Sequence, residues 1–307
     1  MRSLLMGYTG GVHIMKQQQP AIAQQTLEQI QQVFTPLERR LDGETFYFLA
    51  ANERADKVVI LLHGVTGNKL DMVLVGQQLA AQGYAVYAPD LPGHGNAAPI
   101  TAKTFDDFGR WFHACIESLG RSPALVMGNS FGTAVCYNYA QQGFLPAKAQ
   151  LILGCPTPDI SLASRVLRNA GRALPARIAL KLYNSHLVIF LRVLYLHVSG
   201  KPEAKRWLEE SEYFKRQFID PNMPNSMSTL LEMQNPFHGP LLSLALQDRV
   251  TYIVGDRDNV ATRSTLATMA RVLPEAHRRI IPGVGHILHF DAWEECAAIA
   301  LDRLKHQ

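Results

Sequence analysis

Gly128-Asn129-Ser130-Phe131-Gly132 is the stretch of this chain that could do chemistry. The apolar run Ala124 to Met127 precedes it and reads as a buried strand, and Thr133 to Gln142 follows it and reads as a helix. A serine at so tight a strand-to-helix turn can be a nucleophile. Positions two before and two after it must be very small, because side chains there would meet backbone, and glycine tolerates strained dihedrals. Both positions are glycine here. The pattern alone is weak, since at average glycine and serine usage it arises by chance in roughly one chain in ten of this length. A serine hydroxyl is also a poor nucleophile unless an imidazole takes its proton, and that imidazole needs an anion on its other nitrogen.

The elements around the motif supply both groups. Val58 to Leu62, Tyr84 to Ala88, Ala124 to Met127, Gln150 to Leu153, Val250 to Val254 and Arg279 to Ile281 read as strands, most of them apolar throughout. Helical stretches separate them at Leu70 to Gln82, Phe105 to Leu119, Thr133 to Gln142 and Thr262 to Leu273, and Asp291 to Leu304 follows the last. The repetition predicts an α/β fold with a doubly wound, mostly parallel sheet. Leu37 to Leu41 and Glu44 to Leu49, joined by Asp42-Gly43, predict a hairpin that opens it. Functional residues in such sheets sit where strands end. There the chain places His63-Gly64, Asp90 with Gly93-His94-Gly95, Ser130, Asp256 with Asp258, and Gly285-His286. The order Ser, Asp, His is the one expected of a nucleophile on a strand-to-helix elbow. His286 is the candidate base, and Asp258 and Asp256 are the candidate acids, with Asp159, just after the Gln150 to Leu153 strand, a weaker alternative.

From about residue 37 to the C-terminus the chain resembles the α/β-hydrolase superfamily, and within it the capped carboxylesterases and monoacylglycerol-lipase-like enzymes. The histidine-glycine turn, the Asp-x-x-Gly-His-Gly stretch, the elbow and the late Gly-His carry the resemblance. It implies an α/β-hydrolase core over residues 36–155 and 236–307, with a helical cap inserted at 156–235. It favours Asp258, which lies three residues beyond the glycine that ends its strand. The chain departs from the family in lacking the proline commonly found a few residues after the acid, which bears on that loop's conformation. The backbone N–H of Phe131, at the start of a helix beside the nucleophile, is one expected oxyanion donor, and the resemblance assigns the other to Val65. The expected activity is hydrolysis of carboxylic esters with an apolar acyl group through an acyl-enzyme on Ser130. Thioesters linked to a carrier protein or to coenzyme A are the alternative substrates. Carbon–carbon bond hydrolysis and a non-catalytic ligand-binding role rank below them.

Other residues read more plainly. His63 is expected to brace its loop by hydrogen bonding, and Asp90 and His94 to shape theirs. His113, His186, His197, His238, His277 and His289 lack helical metal-ligand spacing with carboxylates, and no phosphate-binding glycine motif occurs, so neither a metal nor a nucleotide cofactor is expected. Cys115, Cys136, Cys155 and Cys296 read as buried reduced thiols. With 307 residues, 47% hydrophobic and 18% charged, the composition is that of a soluble globular protein. A net charge of +4 without a long basic run argues against nucleic acid. The start is too weakly apolar for a signal-peptide core, giving a cytoplasmic expectation. Residues 1–35 read as a glutamine-rich extension with a helix over Ala21 to Phe34, expected to pack on the surface of its own domain.

The inserted stretch bears most on substrate. It opens on Cys155-Pro156-Thr157-Pro158, which is hostile to helix, and Ile178 to Leu196 is apolar on almost every side yet interrupted by Lys181, Asn184, His186 and Arg192. Such a helix is expected to bury against the core, to line a substrate tunnel, or both. Lys205 to Phe218 sets Trp207, Phe214 and Phe218 on one side, away from Glu209, Glu210, Glu212 and Lys215. From Asp159 to Asp220 there are eleven Lys or Arg against six Asp or Glu, and from Arg165 to Arg192 six basic residues and no acidic one. One reading is a solvated face. The other is a cap that receives acyl chains from an acidic carrier, or that docks on an anionic lipid surface.

Overall fold

A computed structural model of the chain describes residues 28–159, 175–217, 230, 233–261 and 264–305. Its frame is a sheet built from β1 (Thr35–Leu41), β2 (Glu44–Ala51), β3 (Val58–Leu62), β4 (Ala85–Pro89), β5 (Pro123–Asn129), β6 (Gln150–Gly154), β7 (Val250–Gly255) and β8 (His277–Ile281). The spatial order is β1-β2-β4-β3-β5-β6-β7-β8. β2 pairs antiparallel with β1 and β4, and every later pairing is parallel. The β1–β2 hairpin closes through Asp42 and Gly43 at φ 49° and 83°, the left-handed pair a two-residue turn of this hand requires. Central strands β3, β4, β6 and β7 are buried at every position, because helices cover both faces.

On one face lie α1 (Val73–Ala81) and the C-terminal helix; on the other lie α2 (Phe105–Glu117) and α3 (Phe131–Gln141). Alternation along each strand divides the core accordingly: Val59 and Leu61 join one apolar cluster, Ile60 and Leu62 the other. α2 starts at a capping box in which Thr104 and Asp107 satisfy each other's backbone N–H. Residues 28–33 are helical, and Ile30 and Phe34 are buried in the first cluster, with the Phe34 ring against α1 at Gly76. The glutamine-rich residues 1–27 lie outside the described part.

Between β6 and β7 the chain forms α4 (Ala176–Tyr183), α5 (His186–Leu196) and α6 (Pro202–Gln217). α7 (Thr265–Val272) and α8 (Trp293–Lys305) follow β7 and β8. The apolar stretch expected as one helix from Ile178 to Leu196 is therefore two. Ser185 divides it, because its backbone is extended and its hydroxyl accepts from the Val188 N–H at 3.3 Å, starting a new helix. Nor is the stretch buried on all sides: Val193 is buried and Ile189 and Leu196 pack on the core, but Leu187, Phe190, Leu191 and Leu194 are exposed. In α6, Trp207 is buried, and so are Glu210 and Glu212. Glu212 is inside because Arg192 of α5 meets it in an ion pair, with the guanidinium 4.2 Å from the centre of the Tyr183 ring. Arg192 thus braces helix against helix instead of adding to a surface charge. Arg165, Arg168, Arg172 and Phe218 lie outside the described residues, as do the side chains of Arg177 and Phe214.

Candidate active site

Ser130 stands between β5 and α3 with φ 52° and ψ −118°. A non-glycine residue at positive φ is strained by roughly 1–3 kcal/mol, which only a surrounding structure that leaves no alternative can hold. The neighbours provide it. A Cβ on Gly128 would lie 2.4 Å from the Gly132 carbonyl oxygen, and one on Gly132 would lie 2.5 Å from that of His63 and 2.7 Å from that of Leu62. The Ser130 N–H donates to the Gly154 carbonyl at 2.8 Å, and the Thr133 N–H donates to the Ser130 carbonyl at 2.9 Å. The two glycines therefore let the elbow press into the end of β3, with the serine at its apex.

The ends of β7 and β8 bring the other two groups to it. His286 Nε2 lies 2.7 Å from Ser130 Oγ, and His286 Nδ1 lies 2.9 Å from Asp258 Oδ2. The other carboxylate oxygen of Asp258 accepts from the backbone N–H groups of Val260 at 2.9 Å and Ala261 at 3.0 Å. Burial of Asp258 works against its ionisation. The imidazole beside it, through charge and hydrogen bond, and the two backbone donors outweigh that cost and hold the carboxyl at about 2. An anion on Nδ1 fixes the proton there and leaves the Nε2 lone pair facing the serine hydroxyl. The side chains of His286 and Asp258 are 6% and 9% exposed, so bulk water screens the pair little.

The alternative acids are placed elsewhere. Asp256 is exposed and accepts from the Gly283 N–H at 2.7 Å, closing the turn before His286. Asp159, about half exposed, lies 3.4 Å from His238. Phe131 begins α3, so its N–H lacks an acceptor one turn back within the helix. Val65 follows Gly64, where a Cβ would sit 3.1 Å from that of Ser130. The His63 loop thereby passes directly beside Ser130. His63 holds it there, accepting from the Leu91 N–H at 3.0 Å through Nε2 and donating to the Gly64 carbonyl at 2.8 Å through Nδ1. His94 accepts from Thr66 N–H and donates to the Pro92 carbonyl in the same manner. Asp90 takes the Lys69 and Asn96 N–H groups and the Lys69 ammonium, so a buried ion pair ties this loop to the one before it.

Several residues around the site were not singled out from sequence. Asn259 donates its side-chain amide to the Tyr195 carbonyl and accepts from the Tyr195 hydroxyl with its own backbone carbonyl, which ties the acid loop to the end of α5. That reciprocal pair anchors a loop lacking the proline usual in the family. Asp291, fully buried, accepts from the Ser199 hydroxyl at 2.7 Å, pairs with His197 at 3.2 Å and takes the Gly285 N–H at 3.4 Å. The inserted helices thus touch the loops of both Asp258 and His286. Ser211 of α6 adds a third tie, to Asp71 at 2.6 Å. The contacts that the inserted stretch makes do not follow from local spacing; each joins residues 64 to 140 positions apart.

Cys155, Asp258 and His286 bring ligand-type atoms within 4.8 Å of one another. The donor chemistry does not suit an ion. Burial pushes the Cys155 thiol well above its ordinary value, its Sγ lies 3.6 Å from the Gly285 carbonyl, and the imidazole has a partner on each nitrogen. All four cysteines are buried and unpaired to one another.

Among known proteins, the chain is 22% identical over 266 residues to Lipase 1 of Psychrobacter immobilis, a match covering 83% of this chain and 79% of that one. Its fold is shared with a membrane phospholipase A described as a bacterial virulence factor, at a TM-score of 0.73, 16% identity and 93% and 92% coverage of the two chains. It is shared also with a Bacillus subtilis carboxylesterase, at a TM-score of 0.69, 15% identity and 93% and 96% coverage. Residues 59–299, from β3 into α8 and including the elbow, the acid loop and the histidine loop, match the family described as "Alpha/beta hydrolase family", and the chain belongs to that family.

Proposed function

We propose that the chain is a serine hydrolase of carboxylic esters with an apolar acyl group. The observation that carries the reading is the continuous hydrogen-bonded line from Ser130 Oγ through His286 to Asp258, at 2.7 and 2.9 Å. The serine proton passes to His286 Nε2 as Oγ bonds to the ester carbonyl carbon. The resulting oxyanion is held by the N–H groups of Phe131 and Val65. Collapse breaks the bond to the leaving alkoxide, which takes the proton from His286, and an acyl-enzyme remains. Water then gives a proton to His286 and its oxygen to the acyl carbon. Ser130 leaves with that proton and the carboxylic acid departs.

Lipase, carboxylesterase and phospholipase relatives make esters the first class to test. Residues 156–235 serve in this reading as the cap, and the contacts of the described part with the acid and histidine loops support that role. The reading needs no metal or nucleotide, and its setting is cytoplasmic. Initial rates on p-nitrophenyl esters and matched acyl-coenzyme A thioesters of increasing chain length, for the native protein and Ser130→Ala, test it. Ester turnover abolished by Ser130→Ala is the expected result. Turnover that survives the substitution overturns the nucleophile, and a preference for thioesters at every length overturns the substrate class.

A further inference from the structure

The inserted helices carry an apolar surface that the catalytic reading does not use. On α5, Leu187, Phe190, Leu191 and Leu194 are 67%, 62%, 51% and 65% exposed. Their spacing of three, four and seven puts them on one side of the helix, opposite Val193, which is buried, and Ile189, which packs on the core. α4 packs beside α5 and adds Ile178 and Leu182, each nearly half exposed. Isolated exposed leucines are ordinary on soluble proteins, but a row of four on one helix continued onto its neighbour is not.

Lys181 is exposed beside this surface, and no Asp or Glu occurs between Asp159 and Glu203. An outward apolar row bordered by a lysine and free of carboxylates suits the headgroup boundary of an anionic bilayer, where leucine and phenylalanine enter the acyl region and the ammonium meets phosphate. Among the described residues no helix is long and apolar enough to cross a membrane. With eleven residues, α5 is about 16 Å long, half of what a span requires. It would therefore lie along the surface. Its C-terminal end is where Tyr195 holds Asn259, next to Asp258, so the helix meeting lipid also borders the acid loop.

We infer that the α4–α5 face is a docking surface for an anionic lipid bilayer. Docking brings the inserted helices, and the site whose loops they touch, to substrate partitioned in that bilayer. This deepens the ester-hydrolase reading by naming where its substrate is met, yet binding itself requires no turnover. Co-sedimentation of Ser130→Ala with phosphatidylglycerol vesicles therefore tests the face alone, beside phosphatidylcholine vesicles and an acidic acyl-carrier protein as the other ligands. Expected is binding to the anionic vesicles that weakens about thirtyfold in Leu187→Ser/Phe190→Ser and several-fold in Lys181→Glu. Circular dichroism should be unchanged and, in the Ser130 background, hydrolysis of a water-soluble p-nitrophenyl ester unaffected. Equal binding to neutral vesicles overturns the anionic preference. No vesicle binding, vesicle binding indifferent to both variants, capture of the carrier protein instead, or self-association that disappears in Leu187→Ser/Phe190→Ser each overturns the inference. Loss of soluble-ester turnover on Ser130→Ala with no vesicle binding would leave the hydrolase reading standing and this one refuted.

Discussion

Replacing Asp258 by Asn is the sharpest test of how the site is held, because the amide keeps the shape of the carboxylate and removes only its symmetry. In the native site one oxygen accepts from His286 Nδ1 at 2.9 Å and the other from the N–H groups of Val260 and Ala261 at 2.9 and 3.0 Å. The amide introduced by Asp258→Asn has one accepting end. If its oxygen stays on the two backbone donors, its NH2 faces His286 Nδ1, which must then accept. The imidazole proton moves to Nε2, against Ser130, and the base is blocked. The opposite orientation restores the base but aims NH2 at two part-buried N–H groups. Each unpaired donor costs about 1–3 kcal/mol, so the productive orientation lies roughly 2–6 kcal/mol above the other. At about 4 kcal/mol it is populated to about one part in a thousand. The expected result is a fall in kcat of about 10³–10⁴ on a p-nitrophenyl ester, with KM little changed and the thermal midpoint kept within a few degrees. Asp258→Ala, which imposes no tautomer but orphans both backbone donors, should be less stable and no less active than Asp258→Asn. An Asp258→Asn variant that keeps more than a tenth of native kcat would refute the reasoning.

Further perturbations address the supports of the site. Gly132→Ala puts a methyl group 2.5 Å from one backbone oxygen and 2.7 Å from another at the end of β3; loss of soluble protein, or a thermal midpoint lowered by more than about 10 °C, is expected, and a native-like active variant would contradict the elbow geometry. Asp258 is depressed from 3.8 to about 2 despite its burial, so the stability it contributes is complete above the unfolded carboxyl value and is lost as pH falls from about 4 toward 2. That contribution is roughly 2 kcal/mol; in urea unfolding the gap between the native protein and Asp258→Ala should narrow by about two-thirds of that amount between pH 5 and pH 2.5, the rest being lost only below pH 2.5, and a constant gap would refute it. Tyr195→Phe removes the hydroxyl that Asn259 accepts from, and about a tenfold loss of kcat at nearly constant KM is expected. Asn259→Ala removes the other bond of the reciprocal pair and leaves the one from the Tyr195 hydroxyl, so it should cost a similar amount, and the double variant, which keeps neither bond, should lose clearly more than either single one; a double variant no worse than the singles would refute the role of the pair.

The order of strands and the groups at their ends were legible because local chemistry fixes them. A five-residue apolar run such as Val58 to Leu62 has few places other than the middle of a covered sheet, and a serine flanked by Gly128 and Gly132 has few backbone conformations that use both glycines. The separation of Asp258 from Asp256 was legible only through family resemblance; in the structure it rests on the carboxylates pointing to different turns, one toward His286 and the other toward Gly283. What was not legible depends on pairs distant in the chain. Nothing local to Asn259 names Tyr195 as its partner, and nothing local to Asp291 marks it as the residue between Gly285 and Ser199.

The helices beyond β6 mark the limit from the other direction. Their sequence is apolar enough to predict burial, yet the letters that bury Val193 are the same kind that leave Leu194 in solvent. A periodicity of 3.6 assigns residues to opposite sides of α5 but does not say which side has a protein to pack on. Arg192 illustrates the converse, a cation that reads as surface charge and is committed to the buried Glu212. Taken with Tyr195 on Asn259 and with Ser199 and His197 on Asp291, it makes the inner side of these helices part of the scaffold of the Asp258 and His286 loops. Their outer side is then left with a composition that folding does not require. Replacing exposed leucines by polar residues there should cost the fold little, so the row points to a partner outside the fold, and the anionic bilayer proposed above would meet both its apolar residues and Lys181.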